Sequence, residues 1–225
     1  MINLIKIDLD YNCIIEPENE TFRFQNRLTH LNLAGNRIVK INNNSFQGLS
    51  NLKYLNLSNN QISKVCKEAF YDMIHLTNID LDYNCISEIE NETFKFHDKL
   101  THLNLACNKI KILNRKTLDG LDNLKEIDLQ SNNIEKIDKE SFHLLKKLVS
   151  INLGQNKIKL IEEDLFQGLN RLEIINLNQN EFNNIKKCYL HYENNLKFIS
   201  FQNDEINDIN SVINKVIYLN FTLNI

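Results

Sequence analysis

Leu28-Thr29-His30-Leu31-Asn32-Leu33-Ala34-Gly35-Asn36 is the stretch from which the rest of the chain can be read. Leu31, Asn32 and Leu33 alternate apolar and polar, as a short strand with one buried face requires, and Leu28, Leu31 and Leu33 fall on one side. Asn36 ends the strand. Its amide has both donors and an acceptor, so inside a turn it can satisfy backbone groups of its own coil and the next, which Leu or Ala could not.

The same pattern returns every 24 residues, from Leu4, Leu52, Leu76, Leu100, Leu124, Leu148 and Leu172, and places turn asparagines at Asn12, Asn36, Asn60, Asn84, Asn108, Asn132, Asn156 and Asn180. After each turn an apolar residue recurs (Ile14, Ile38, Ile62, Ile86, Ile110, Ile134, Ile158, Phe182), with another three further on, from Ile41 to Ile185, where Pro17 takes the first place. On the return leg Phe22, Phe46, Phe70, Phe94, Phe142 and Phe166 share one position, with Leu118 and Leu190 substituting, and predict a stacked aromatic spine. Self-comparison is strongest at 72 residues: IDLDYNCI begins at Ile7 and at Ile79, and LTHLNLA at Leu28 and at Leu100, so a block of three units has been duplicated.

These residues resemble the leucine-rich repeat family, whose pattern is LxxLxLxxN followed by an apolar position and a convex return. The 24-residue form with Phe in the return leg is similar to the typical class of Toll-like receptor ectodomains. The resemblance implies an α/β solenoid: a horseshoe with a parallel β-sheet on the concave face and short turns or single-turn helices on the convex side. It also implies a binding protein, since family members mostly bind other proteins.

A continuous period overrides the domain count that 225 residues would suggest, and predicts one solenoid over 1–225. Eight 24-residue repeats span 4–195, a shortened repeat 196–215, and a truncated strand 216–225. Each end leaves apolar strand residues without a polar cap, Leu4, Ile7 and Leu9 at one side and Leu219 and Phe221 at the other. An atypical capping coil, end-to-end self-association or a chain shortened relative to its ancestors would each account for this, and the last is preferred.

A net charge of −3 and a pI near 6.1 give no basis for nucleic-acid binding, which calls for a concentrated basic face. No apolar run approaches the length of a transmembrane span, and MINLIKIDLD at the start already contains the first strand rather than a secretory leader. Cys13, Cys66, Cys85, Cys107 and Cys188 are scattered among repeats and form no disulfide-bonded cap; free thiols are expected, although Cys85 and Cys107 lie on adjacent coils. The absent leader and caps favour a cytoplasmic location. Secretion is the alternative, given the repeat class and the sequons at Asn19, Asn43, Asn56, Asn91 and Asn220.

Catalysis would need a nucleophile beside a base, metal-ligand spacing or a phosphate loop, and the sequence has no CxxC, HExxH or GxxxxGK motif. The chain is therefore read as non-catalytic, with no cofactor. Candidate residues instead line the concave face. Its central column includes Asp80 and Asp128, and a second column runs Lys6, His30, Tyr54, Asn78, His102, Glu126, Ser150, Ile174, Phe198 and Tyr218. Tyr54, His102 and Glu126 form an aromatic and charged patch in mid-array of the sort that anchors interfaces, and Ile174, Phe198 and Tyr218 an apolar strip beyond it. The pairs Asp8–Asp10 and Asp80–Asp82 each put two carboxylates on one strand face, too few oxygens for a cation shell, and read as part of a polar ladder. A protein partner bound on this face is the expected function, including the role of a soluble competitor for a receptor's ligand. A self-assembling structural protein is the alternative.

Overall fold

The computed structural model of the chain describes residues 4–162, 164–182 and 195–200. Within them the period becomes a stack of coils, each entering through a three-residue strand. The strands, with two-residue elements interspersed, are β1 (Lys6–Asp8), β2 (His30–Asn32), β3 (Tyr54–Asn56), β4 (Lys64–Val65), β5 (Asn78–Asp80), β6 (Glu88–Ile89), β7 (His102–Asn104), β8 (Ile112–Leu113), β9 (Glu126–Asp128), β10 (Lys136–Ile137), β11 (Ser150–Asn152), β12 (Ile174–Asn176) and β13 (Phe198–Ser200).

Among the described residues one parallel sheet takes a strand from every coil, in the order β1-β2-β3-β5-β7-β9-β11-β12-β13. A constant 24-residue step returns the same repeat position to the same height, so Lys6 pairs with His30, His30 with Tyr54, and so on to Ile174 with Phe198. Register follows from the pattern, because a one-residue slip would turn every leucine outward.

The leucine rows, the apolar residues after each turn and the return-leg phenylalanines all point between the two walls of the coil. They make a single continuous core in which Leu31, Leu55, Ile62, Phe70, Phe94 and Leu129 have no appreciable exposure. Pro17 fills the buried slot that Ile41 and Val65 fill in later coils. Stacked ring pairs run along the spine, Phe22–Phe46, Phe70–Phe94 and Phe142–Phe166, with centroids 6.2, 6.1 and 6.0 Å apart. Leu118 and Phe182 are buried in their expected rows; Ile185, Cys188 and Leu190, the shortened repeat and the strand at 216–225 lie outside the described residues.

The turn asparagines bind adjacent coils together. Asn60 Nδ2 donates to the carbonyls of Leu57 and Ser58 in its own turn and of Leu33 in the coil before, and its Oδ1 accepts the amide of Ile38 at 2.9 Å. The same four contacts recur at Asn84, Asn108, Asn132, Asn156 and Asn180. Among the described residues Asn12, in the first coil, makes only its local bonds to Leu9 and Asp10. Access to the interior requires the residue before each asparagine to adopt a left-handed conformation, and Tyr11, Asn59, Tyr83, Cys107, Ser131, Gln155 and Gln179 do so at φ between 49° and 55°, with Gly35 at 63°. Only glycine and, to a lesser degree, asparagine adopt this conformation readily.

The convex side is built of turns; among the described residues no helix is present, so the α component of the expected class is replaced by turns. The return legs close by hydrogen bonds to the third residue back, and in one leg a left-handed residue interrupts them as well. Thr93, Lys95 and His97 donate to Glu90, Glu92 and Phe94, each three residues back, while Glu92 itself is left-handed at φ 65° and no run of helical hydrogen bonds can propagate through it. Two small parallel ladders not expected from sequence, β4 with β6 and β8 with β10, join coils on this flank. No helix among the described residues is long and apolar enough to cross a membrane. Cys13, Cys66, Cys85 and Cys107 are free thiols.

Candidate functional site

The concave sheet presents the alternate residues of every strand to solvent. In the central column each Asx side chain folds back on its own strand end, accepting the amide two residues on: Asn56 from Ser58 at 2.9 Å, Asp80 from Asp82 at 3.4 Å, Asn104 from Ala106 at 3.1 Å and Asp128 from Gln130 at 2.9 Å. This is an Asx turn, and it explains why the column is Asn or Asp almost throughout. Lateral bonds tie parts of the column together, Asn32 to Asp8 at 2.8 Å and Asn152 to Asp128 at 3.2 Å.

Five of the sequence candidates converge. Tyr54, Asp80, His102, Glu126 and Asp128 line one shallow depression of about 360 Å³ on the concave face, together with Asn78, Asn104, Ser150 and Asn152. Tyr54 forms the wall nearest the first coils, its ring 6.0 Å from that of His30. Burial, reinforced by the carboxylates of Asp80 and Asp82, pushes the Tyr54 hydroxyl above its ordinary pKa. His102 is held by Thr101, whose Oγ lies 2.8 Å from Nδ1, and its Nε2 is 3.6 Å from the Glu126 carboxylate on the next strand.

A residue the sequence reading treated only as ladder polarity borders this site and is coupled to its carboxylates. Asp82 stands beside Asp80, and burial followed by the neighbouring Asp80 charge pushes its carboxyl up to about 6. Asp128 adds to the same effect, while a hydrogen bond with Asn104 opposes it. One Asp82 oxygen is enclosed without a hydrogen-bond partner. The signal was slight: the equivalent positions hold Asp10, Ala34, Ser58, Ala106, Gln130, Gly154 and Asn178, so the coil does not require a carboxylate there.

The apolar strip is partly described. Ile174 and Phe198 are paired neighbours in the sheet and stay 40% and 55% exposed, whereas Ile175, which follows the first, is buried and Ile199, which follows the second, is partly buried. Tyr218 lies outside the described residues. Among the described residues no group of three or more His, Cys, Asp or Glu side chains is placed to hold a metal ion.

A stack of identical coils with an inter-coil asparagine ladder and an open, functionalised concave sheet defines a solenoid scaffold. The chain belongs to the leucine-rich repeat family, whose model matches residues 26–86, 52–110, 74–134 and 122–182. Among solved structures it is similar to TLR13 in its complex with ssRNA13, with TM-score 0.71 and 27% identity over 90% of this chain and 33% of that one. It also shares its fold with the Toll–Spatzle complex of Drosophila, at TM-score 0.64 and 18% identity over 79% of this chain and 27% of the other. The chain thus spans a third or less of the length of these solved proteins. No curated protein matches it by sequence.

Proposed function

We propose that the chain is a non-catalytic recognition module that binds a protein partner on its concave face, with Tyr54, Asp80, His102, Glu126 and Asp128 at the centre of the contact and Ile174 and Phe198 at its margin. The observation that carries this reading is the convergence of the first five around one depression. An aromatic ring, an imidazole and carboxylates held on a rigid sheet lose little conformational entropy on binding, which is the economy expected of an interface anchor. A soluble competitor is what such a surface becomes if its partner is also the ligand of a longer receptor of the family.

Binding of RNA, the partner named for TLR13, suits this face poorly. Three carboxylates and no lysine or arginine line the depression, so a phosphate backbone would meet net repulsion and release no counterions. The test is affinity capture with the native chain and with a Tyr54→Ala, His102→Ala, Glu126→Ala triple variant, from cell extract and from extracellular fluid in separate arms. A protein lost selectively with the triple variant supports the proposal; identical captured sets contradict it.

Self-assembly is a second reading, favoured by the exposed Ile174–Phe198 strip. It requires the mass measured by light scattering to rise with concentration and to stop rising in a Phe198→Glu variant. A concentration-independent monomer rules it out.

A further inference from the structure

The concave carboxylates are more than the fold needs. Asn32, Asn56, Asn104, Asn152 and Asn176 make the same backbone turn as Asp80 and Asp128, because the turn uses only the side-chain acceptor oxygen. Asparagine would therefore serve coils four and six equally well, and alanine or serine would serve at position 82. Charge at these three places is also uncompensated: among the described residues no lysine or arginine forms an ion pair with Asp80, Asp82 or Asp128. Elsewhere the chain pairs its carboxylates freely, as in Lys64 with Glu90 at 2.7 Å, Arg115 with Glu140 at 2.8 Å and Lys197 with Glu173 at 2.9 Å. Beside the unpaired carboxylates stands the phenol ring of Tyr54.

We propose that the depression is a socket for arginine side chains of the protein partner, one guanidinium lying against the Tyr54 ring and paired with Asp80, a second reaching Asp128 and Glu126. This rests on the concave face being the binding surface. Arginine meets both requirements at once, since its planar fork pairs with carboxylates and its face stacks on an aromatic ring, whereas a lysine ammonium is a compact, strongly hydrated charge. Asp80 and Asp128 are two strands apart, on the order of 10 Å at about 4.8 Å per strand. A peptide in the polyproline II conformation running along the stack spans that distance in three residues, at about 3.1 Å each, and its three-residue turn returns positions i and i+3 to the same face, so the fitting motif is Arg-x-x-Arg. The proton that Asp82 retains near pH 6 is consistent with a missing counter-charge, and an arriving guanidinium would displace it.

The direct test is titration of the full chain, at low salt, with the peptide acetyl-Arg-Ser-Ser-Arg-amide followed by amide NMR shifts, beside its Lys and Glu counterparts and oligouridylate. The arginine peptide is expected to shift Tyr54, Asp80 and Asp128, the lysine peptide to bind more weakly, and the glutamate peptide and oligouridylate not to bind. Asp80→Asn with Asp128→Asn, which copies residues already used at other rungs, should weaken the arginine peptide about tenfold or more while leaving the fold intact. Tyr54→Leu should remove the preference for arginine over lysine. Binding should also be stronger at pH 7.5 than at 5.5, because Asp82, faced by Asp80, Asp128, Tyr54 and Tyr83, gains a proton near 6. Unchanged binding in the double Asn variant, or oligouridylate shifting the same residues, overturns the assignment. If protein capture still depends on Tyr54, His102 and Glu126 in that event, only the arginine socket falls; if it does not, the concave-face reading falls with it.

Discussion

Replacing Asn108 by alanine should cost far more than the same change at Asn12, and the structure sets the difference. Asn108 Nδ2 donates to Leu81, Leu105 and Ala106 at 2.9, 3.1 and 3.0 Å, and its Oδ1 accepts the Ile86 amide at 2.9 Å. The carbonyls keep other donors: Asn84 serves Leu81, Asn132 serves Leu105, and the Tyr83 amide serves Ala106. Their loss is therefore about 1 kcal/mol for each of the two amide protons no longer placed, while the buried Ile86 amide, left without an acceptor, costs about 1–3 kcal/mol. The sum is about 3–5 kcal/mol. Asn12 is exposed and makes two bonds, at 3.1 and 3.0 Å, which water can replace, so Asn12→Ala should cost below about 1 kcal/mol. Urea unfolding of both variants, with midpoints and slopes compared, measures this. In a solenoid, weakening one inter-coil joint can also split the transition, seen as a reduced slope. Costs within about 1 kcal/mol of each other would refute the idea that these asparagines act by joining coils.

Three further outcomes follow from buried or crowded groups. His97 fills an apolar slot that holds Leu49, Met73 and Leu121 in other coils; it is 1% exposed, and burial lowers its pKa below 6.5. The unfolded chain then binds a proton that the native state refuses, so stability should fall as pH drops below about 6.5, and His97→Leu should flatten that part of a thermal-melt profile. Asp82 has the opposite sign: with a native pKa of about 6 against 3.8, the folded state holds a proton that the unfolded chain has released, and stability is lost as pH rises across that window. Asp82→Asn should accordingly stabilise the chain at pH 7.5, by about 1 kcal/mol after allowing for solvent screening, and have no such effect at pH 3. An NMR titration finding Asp82 at an ordinary carboxylate value would dispose of that expectation. Gly120 sits at φ 92° with a would-be Cβ 2.3 Å from the Phe94 carbonyl, so Gly120→Ala should destabilise by about 2 kcal/mol or more, whereas Gly154→Ala, at a normal φ against the Asn176 side chain, should be nearly silent in the same melts.

Much of this architecture was legible before any coordinates. The turn asparagines revealed the coil period because a short side-chain amide puts two donors and an acceptor at one buried point, and leucine alternation then fixed strand register. Less visible was the left-handed residue before each asparagine: Gly35 and Asn59 hint at it, but Tyr11, Tyr83 and Cys107 do not favour that conformation, and the coil imposes it. His97 escaped notice because a histidine in a leucine slot is conspicuous only once the return legs are superposed. The two convex ladders depend on the spacing of neighbouring coils, which no single repeat encodes. Among the described residues, the second column from Lys6 to Phe198 pairs in the register that the period predicts. What periodicity lacked was depth, which is why the depression and the burial of Asp82 emerge only in three dimensions.

The concave site is tested most directly by photo-crosslinking. A benzophenone side chain placed at Asn78, between Tyr54 and His102 on the depression, is compared with one at Tyr71, exposed beside Phe96 on the convex return. Irradiated in the fluid that yields a captured protein, the Asn78 variant should give a discrete adduct with that protein and the Tyr71 variant none. Adducts from Tyr71 alone would contradict the account and move the binding surface to the convex side.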